Sequence, residues 1–213
     1  MPEQQNQDFV RDVQRWLNRE GYTIQVDGIA GVATREAFFR RTGTAPPPAA
    51  PRPETSPNRW PGPTQRELIA FYGQPGTGQT QIDLPFPMRL AWDTDTVVEK
   101  ITCHERVAAS LFVALRSILR IYGSLSALRE DGLDLLGGCY NLRKMRDRDE
   151  WSLHAFGAAI DLDPIRNGLS TPWPKRATMP EPVIRMFEAE GWTSLGRVIG
   201  RDAMHFQATS WSA

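Results

Sequence analysis

Two short stretches of the chain, residues 152–161 and 202–205, concentrate side chains that could do chemistry. They contain two of the only three histidines in the 213-residue sequence, together with two carboxylates, Asp161 and Asp202. Two histidines and one carboxylate are a sufficient ligand set for catalytic zinc, which keeps three protein ligands and leaves a fourth position for water. His154, Asp161 and His205 are therefore candidate metal ligands.

The first stretch ends in a segment that reads as a β-strand, around residues 158–163. Successive side chains of a strand point to opposite faces, so Asp161 and Asp163 share one face and Ile160 lies on the other. An aspartate in such apolar sequence is costly to bury without a partner, and a metal ion is a strong partner. The two aspartates would lie about 6.6 Å apart, so one ion with ligands at about 2.1 Å would not reach both.

The second stretch leads into a last strand that includes His205. Met204 and Phe206 are expected to face the core, while His205 and Gln207 face the opposite side, toward a cleft. Asp202 lies three residues before His205, close enough to act on water bound by the same ion. Spacing alone leaves two interpretations open, a metal site or hydrogen-bonded structural histidines.

A resemblance to a known family decides between them. The sequence reads Ser152-x-His154-x-x-Gly157-x-Ala159-x-Asp161 and, about 40 residues later, Asp202-x-x-His205-Phe206. This pattern resembles the VanY-type zinc peptidases, which include D-Ala-D-Ala carboxypeptidases and dipeptidases and the L-alanyl-D-glutamate endopeptidases of bacteriophage. The resemblance spans roughly residues 64–209. It implies an α+β zinc peptidase domain with the core fold of the hedgehog signalling domain.

The resemblance also implies the roles of the site residues. His154, Asp161 and His205 would bind one Zn²⁺ ion, and Asp202 would be the catalytic carboxylate. The family uses an arginine upstream of the first histidine to hold the substrate carbonyl, and Arg143 fits that position best.

Three further residues are expected to contact the substrate or to support the residues that do. They are Ser152, Arg146 and Trp192. Arg146 is the second candidate for the carbonyl-binding arginine. Ser152 is expected to support the loop bearing His154, because no strand–turn–helix elbow of a serine hydrolase surrounds it.

The first 43 residues read as a separate helical module. Apolar residues at positions 9, 13, 16 and 17 lie on one face of a helix, and Asp27, Gly28 and Gly31 mark a tight turn. Residues 8–41 resemble the peptidoglycan-binding domain of cell-wall hydrolases, through Val13-Gln14-x-x-Leu17, Gly21-Tyr22 and Val26-Asp27-Gly28-Ile29-x-Gly31-x-x-Thr34. We expect a small three-helix module that binds the cell wall, with a second helix carrying Ala37 and Phe38.

A proline-rich segment separates this module from the rest of the chain. Residues 44–63 hold eight of the 17 prolines and almost no aliphatic residue, which is typical of an extended spacer. The expected organisation is a module at 1–43, a linker at 44–63 and a catalytic domain at 64–213.

Helix and strand signals in the larger part indicate an α+β domain. Thr102-x-x-Glu105 resembles a capping box before a helix that ends near Gly123, and a second helix is expected from residues 180–182 to Gly191. Strands are expected around residues 135–140, 158–163 and 204–207. His104 is expected to be a capping or core residue, and Cys139 a small buried hydrophobe.

Composition and charge exclude several classes of protein. With 40% hydrophobic and 23% charged residues the chain is globular, and 25 basic against 25 acidic residues argue against nucleic-acid binding. No apolar run reaches the roughly 18–20 residues of a membrane span, so no membrane insertion is expected. The first residues lack a secretory signal, which predicts synthesis in the cytoplasm. A monomer is expected.

Together these features predict a peptidoglycan hydrolase of the phage endolysin type that acts on the cell wall after release. The expected activity is an L-alanyl-D-glutamate endopeptidase. The alternatives are a D-Ala-D-Ala carboxypeptidase or dipeptidase that trims stem peptides, and a non-catalytic wall-binding protein.

Overall fold

The computed structural model describes residues 2–28, positions 34, 37 and 41, and residues 60–211, with side chains from Val10 onward. The chain divides into two compact units, Met1–Pro57 and Asn58–Ala213. Among the described helices, none combines the length and the apolar character that crossing a membrane requires.

The first unit is built on helix α1, Pro2–Arg19. Its buried face carries Val13, Trp16 and Leu17, which pack with Ala37 into a small core, as the sequence periodicity predicts. Gln14 lies beneath the predicted tight turn. Its Oε1 accepts hydrogen bonds from the backbone N–H groups of Asp27 and Gly28, at 3.0 and 2.9 Å.

The turn predicted for wall binding is therefore fixed from inside the module, since Gln14 Nε2 also donates to Asp27 Oδ1 at 2.8 Å. Gly31 and Phe38 lie outside the described residues. The three-helix arrangement and the wall-binding role stay predictions.

The second unit is an α+β domain around one six-stranded sheet. In chain order its helices and strands are α2 Gln65–Tyr72, β1 Gln79–Leu90, β2 Asp93–His104, α3 Glu105–Tyr122, α4 Leu125–Glu130, β3 Leu135–Gly138, a 3₁₀ helix Leu153–Phe156, β4 Ala159–Leu162, α5 Pro164–Asn167, α6 Glu181–Ala189, β5 Thr193–Ser194, α7 Leu195–Ile199 and β6 His205–Gln207. The strand order is β2-β1-β3-β4-β6-β5. All neighbours are antiparallel except β1 and β3.

The short strands near the site lie where the sequence predicts them, whereas the long hairpin β1–β2 was not predicted. The helix predicted to end near Gly123 is α3, and Gly123 caps it in the left-handed conformation. The helix predicted from residues 180–182 is α6.

The predicted capping box at the start of α3 is wrong. Thr102 lies in β2, and the N-cap of α3 is His104, whose Nδ1 accepts a hydrogen bond from the N–H of Arg106 at 3.1 Å. Nε2 of His104 lies 2.8 Å from the carbonyl oxygen of Tyr72. Both ring nitrogens thus hold the junction of β2 and α3, which confirms the expected capping role of this histidine.

The second unit takes in residues ahead of position 64, where the catalytic domain is predicted to begin. Trp60 is only 4% exposed, its ring packs edge-on against Trp192, and its Nε1 donates to the carbonyl of Glu190 at 3.1 Å. The carbonyl of Pro61 accepts from the N–H of Ser210 at 2.8 Å. The end of the proline-rich segment therefore belongs to this domain, because a buried indole anchors it.

Candidate metal centre

The three predicted metal ligands come from three different elements that the sheet brings together. Asp161 of β4 and His205 of β6 are directly opposed across an antiparallel pair. His154 lies in the 3₁₀ helix Leu153–Phe156, which is capped by Ser152 at its start and by Gly157, a glycine with φ of +67°, at its end. The Ser152 hydroxyl caps this helix by accepting a hydrogen bond from the N–H of His154 at 3.3 Å. This supports the prediction that Ser152 serves the loop rather than acting as a nucleophile.

Their ligating atoms form one tight cluster. His205 Nδ1 lies 2.8 Å from Asp161 Oδ1, His154 Nε2 lies 3.3 Å from Asp161 Oδ2, and the two histidine nitrogens are 3.3 Å apart. The side chains of His154, Asp161 and His205 are 5%, 13% and 12% exposed. The cluster is therefore nearly buried but open enough to meet a ligand.

Proton affinities in the cluster reflect its charges. Burial alone would raise the pKa of Asp161, but the hydrogen bonds from His154 and His205 outweigh it and hold that pKa well below the ordinary range. Burial alone would lower the pKa of His205, but Asp161 and, to a smaller extent, Asp202 raise it. A divalent cation can take the place of the proton that the imidazole and the carboxylate share.

Hydrogen bonds outside the cluster fix which nitrogen of each histidine faces it. His154 Nδ1 lies 2.6 Å from the carbonyl oxygen of Cys139, and because a carbonyl only accepts, Nδ1 donates and Nε2 is left for the site. His205 Nε2 donates to Gln207 Oε1 at 3.2 Å, and Gln207 Nε2 donates to Thr209 Oγ1 at 2.7 Å. Outer partners of this kind orient metal-binding histidines.

This donor set fits a zinc ion. Two imidazoles and one carboxylate, whose ligating atoms all lie within 4.8 Å of one another, are the set that catalytic zinc sites use. Asp163 does not join them, as expected. It follows β4 and binds Arg166 and Asn167 instead.

Asp202 lies next to the cluster in an unusual environment. The residue is 5% exposed and adopts φ of +58°, and its Oδ1 has no hydrogen-bond partner among the residues that the structure describes. Desolvation raises the pKa of its carboxyl above the ordinary value, while His205 opposes the shift. A buried carboxylate without a partner calls for an explanation, and an incoming ligand or water supplies one.

The predicted arginines lie on the loop that precedes His154. Arg143 and Arg146 are both exposed. The carbonyl of Arg143 accepts a hydrogen bond from the N–H of Ser152 at 3.2 Å, and Lys144 forms an isolated antiparallel β-bridge with Trp151. The loop therefore folds back on the segment that carries His154. The choice between Arg143 and Arg146 stays a prediction.

Trp192 lies in the core rather than at the site surface. It is 2% exposed, its ring packs against Phe187, and its Nε1 donates to Ser110 Oγ at 2.7 Å. Direct contact with substrate is therefore closed to this side chain, and packing support is the role that its burial allows. The Gly-Trp pattern alone does not distinguish the two.

Sequence reasoning assigned no role to Gln207 or to the carbonyl of Cys139. The alternation in His205-Phe206-Gln207 placed Gln207 on the same face of the strand as His205, and nothing else in the sequence pointed to a role for it. A backbone carbonyl carries no sequence signal at all.

We expect Gln207→Leu, which keeps the side-chain size but removes the acceptor for His205 Nε2, to weaken zinc binding about tenfold or more. The zinc dissociation constant, measured by competition with a chromogenic chelator, checks this. Thr209→Val, one hydrogen bond further out, should have a smaller effect. Equal zinc affinity of Gln207→Leu and the unmodified chain would contradict the orienting role.

One comparison with known proteins found a match. A family model described as D-alanyl-D-alanine carboxypeptidase matches residues 146–208, under a third of the chain. Neither a curated protein nor a solved structure matched. The matched segment contains His154, Asp161, Asp202 and His205. It confirms the VanY-like peptidase part of the expectation and supports a peptidoglycan-related peptidase, while Arg143 lies just before it.

Proposed function

We propose that this chain is a Zn²⁺-dependent peptidoglycan endopeptidase that cleaves the L-alanyl-D-glutamate bond of the stem peptide, as phage endolysins do. The observation that carries the proposal is the cluster of His154, Asp161 and His205 beside the carboxylate of Asp202, whose buried Oδ1 has no hydrogen-bond partner among the described residues. All four residues lie within the segment that matches the peptidase family model.

The residues divide the work of amide hydrolysis among them. His154, Asp161 and His205 would hold Zn²⁺, which when bound polarises a carbonyl and lowers the pKa of a coordinated water. Asp202 accepts the proton of the attacking water and passes it to the nitrogen of the leaving amine as the C–N bond breaks. Its raised pKa makes Asp202 a stronger base than an ordinary aspartate.

Arg143 completes the proposed site, with Arg146 as the second candidate. A guanidinium beside the scissile carbonyl stabilises the negative charge that develops on its oxygen, and one such donor is typically worth about 3–4 kcal/mol. The loop that carries both arginines is attached to the segment bearing His154, because the N–H of Ser152 donates a hydrogen bond to the carbonyl of Arg143.

The proposal extends to the N-terminal module and to the place of action. A wall-binding module joined to the peptidase by a proline-rich sequence raises the effective concentration of stem peptides near the active site. Peptidoglycan is then both the anchor and the substrate, and the chain acts on the cell wall as a monomer.

A D-Ala-D-Ala carboxypeptidase is the second candidate, favoured by the description of the matching family model. It would use the same cluster and the same carboxylate on the terminal bond of the stem peptide. The difference between the two activities lies in which part of the peptide the loop at residues 141–152 admits.

Mass spectrometry of purified peptidoglycan digested by the full chain, with and without a chelator, tests the proposal. We expect new free amino groups on D-glutamate that are lost when the chelator is present. Release of D-alanine alone would replace the proposal with the carboxypeptidase. Bound but uncut wall, with zinc supplied, would leave only a wall-binding protein.

A further inference from the structure

We infer that Asn167, the last residue of α5, is a positioning residue of the metal centre. It fixes the end of β4, the strand of Asp161, relative to the loop that leads into His205. The inference rests on the proposed metal centre. Asn167 is 1% exposed and touches none of the three candidate ligands in any hydrogen bond of the described residues. It acts instead on the segments that carry them.

The first link joins the strand of Asp161 to the loop of His205. Asn167 Nδ2 donates to Asp163, to the carbonyl oxygen at 3.2 Å and to Oδ2 at 2.8 Å, just two residues beyond Asp161. The carbonyl of Asn167 accepts from the N–H of Met204 at 3.1 Å, directly before His205. One residue thus spans from the end of β4 to the start of β6.

The second link reaches the segment that supports Asp202. Asn167 Oδ1 accepts from the N–H groups of Thr178 and Met179, at 2.8 and 2.6 Å. The segment before them pairs with the chain ahead of Asp202, because the N–H of Trp173 donates to the carbonyl of Gly200 at 2.8 Å. The amide group is therefore connected, through the segment at residues 173–179, to the chain that leads into Asp202.

The chemistry of the amide explains why asparagine is needed here. An asparagine side chain offers two donor hydrogens and an oxygen with two lone pairs, and all four are used. Aspartate at this position would set a carboxylate oxygen against Asp163 Oδ2. An apolar residue would deprive the backbone N–H groups of Thr178 and Met179 of their acceptor.

Metal binding by the full chain tests the inference without any peptidoglycan. In Asn167→Asp we expect the Co²⁺ dissociation constant to rise about tenfold or more and the visible bands of the Co²⁺ form to shift, because those bands report ligand geometry. The double exchange Asp163→Asn/Asn167→Asp restores a donor facing an acceptor. It should recover most of the affinity and the original bands.

Ser110→Ala is the matched control, since it removes a buried hydrogen bond to Trp192 in which no residue of β4 or β6 takes part. It should lower the melting temperature and leave the Co²⁺ bands unchanged. Unchanged bands and affinity in Asn167→Asp would overturn the inference, and so would the same band shift in Ser110→Ala.

If Asn167→Asp does not fold, the double exchange decides. The original bands support the positioning role, and shifted bands in a folded double variant overturn it. The test stays separate from the proposed function. A chain that shows the expected Co²⁺ behaviour but leaves the wall uncut contradicts only the hydrolase, whereas a lytic chain indifferent to Asn167→Asp contradicts only this inference.

Discussion

His154→Ala is expected to abolish zinc binding and wall hydrolysis while leaving wall binding intact. The imidazole would supply one of the three candidate ligands found among the described residues, and the carbonyl of Cys139 holds its Nε2 toward the other two. Changes to outer partners of a metal site typically cost 10–100-fold in affinity or activity, so we expect removal of a ligand to exceed about hundredfold. Zinc content by atomic emission and turbidity loss of a wall suspension measure the two effects.

The third histidine provides the control. His104 is as deeply buried as His154 and is hydrogen-bonded to the carbonyl of Tyr72, so His104→Ala also leaves a buried carbonyl unpaired. Each variant should lose about 1–3 kcal/mol of stability from that carbonyl, but only His154→Ala should lose zinc. Full lysis by His154→Ala would contradict the assignment of His154 as a zinc ligand. Loss of zinc in both variants would indicate that the loss comes from impaired folding.

The residues of the metal cluster could be named as candidates because their spacing is local, and the resemblance to the VanY-type peptidases then favoured a metal site over structural histidines. The offsets within residues 152–161 and 202–205 place each histidine and carboxylate on a named face of a short element, and the structure joins those faces. The helices α3 and α6 were predictable for the same reason. Each has an apolar stripe with a clear end, such as Gly123 after α3.

The hairpin β1–β2 was not predictable in this way. Pro85 and Pro87 interrupt β1, and proline within a run argues against a strand because it cannot donate to the ladder. Strand β2 is exposed along most of its length, so no alternation marks its inner face. Pairing with β1, rather than local preference, makes both segments strands.

The supporting residues escaped prediction for a different reason. Asn167, Gln207 and the carbonyl of Cys139 act through hydrogen bonds that join segments distant in sequence. No period or motif identifies the partners of such bonds in advance. Trp192 is the opposite case. Its position beside a motif predicted a site residue, but its large apolar side chain is buried in the core.

Asp202→Asn is expected to retain zinc and lose catalysis. Asparagine has nearly the same shape and tolerates the left-handed conformation that Asp202 adopts at φ of +58°, so the loop should keep its form. It cannot accept a proton, and a positioned acid–base group typically contributes 10²–10⁴-fold. We expect kcat to fall by about that factor with KM little changed, measured on a soluble stem peptide.

Asp147→Asn is a suitable control for this substitution. Asp147 has the same φ of +58° but is exposed, so the variant makes the same chemical change without touching a buried carboxylate. Its kcat should equal that of the unmodified chain. A proton acceptor other than Asp202 would be required if Asp202→Asn kept full activity with zinc bound.

The pH dependence of folding stability gives an independent test of the role of Asp202. Desolvation raises the pKa of Asp202 in the folded chain, so the folded state holds this proton more tightly than the unfolded state does. Stability in the metal-free chain is therefore lost as pH rises from the ordinary aspartate value of about 3.9 through the raised pKa. Asp202→Asn removes this penalty, so at neutral pH with chelator the variant should melt at a temperature equal to or above that of the unmodified chain.

A residue whose replacement raises stability and lowers kcat is held in place by function rather than by folding. The opposite pattern, a lower melting temperature together with a lower kcat, would mark Asp202 as a structural residue and reassign the proton transfer. Melting curves in chelator and kcat in zinc, taken on the same preparations, therefore distinguish the two roles.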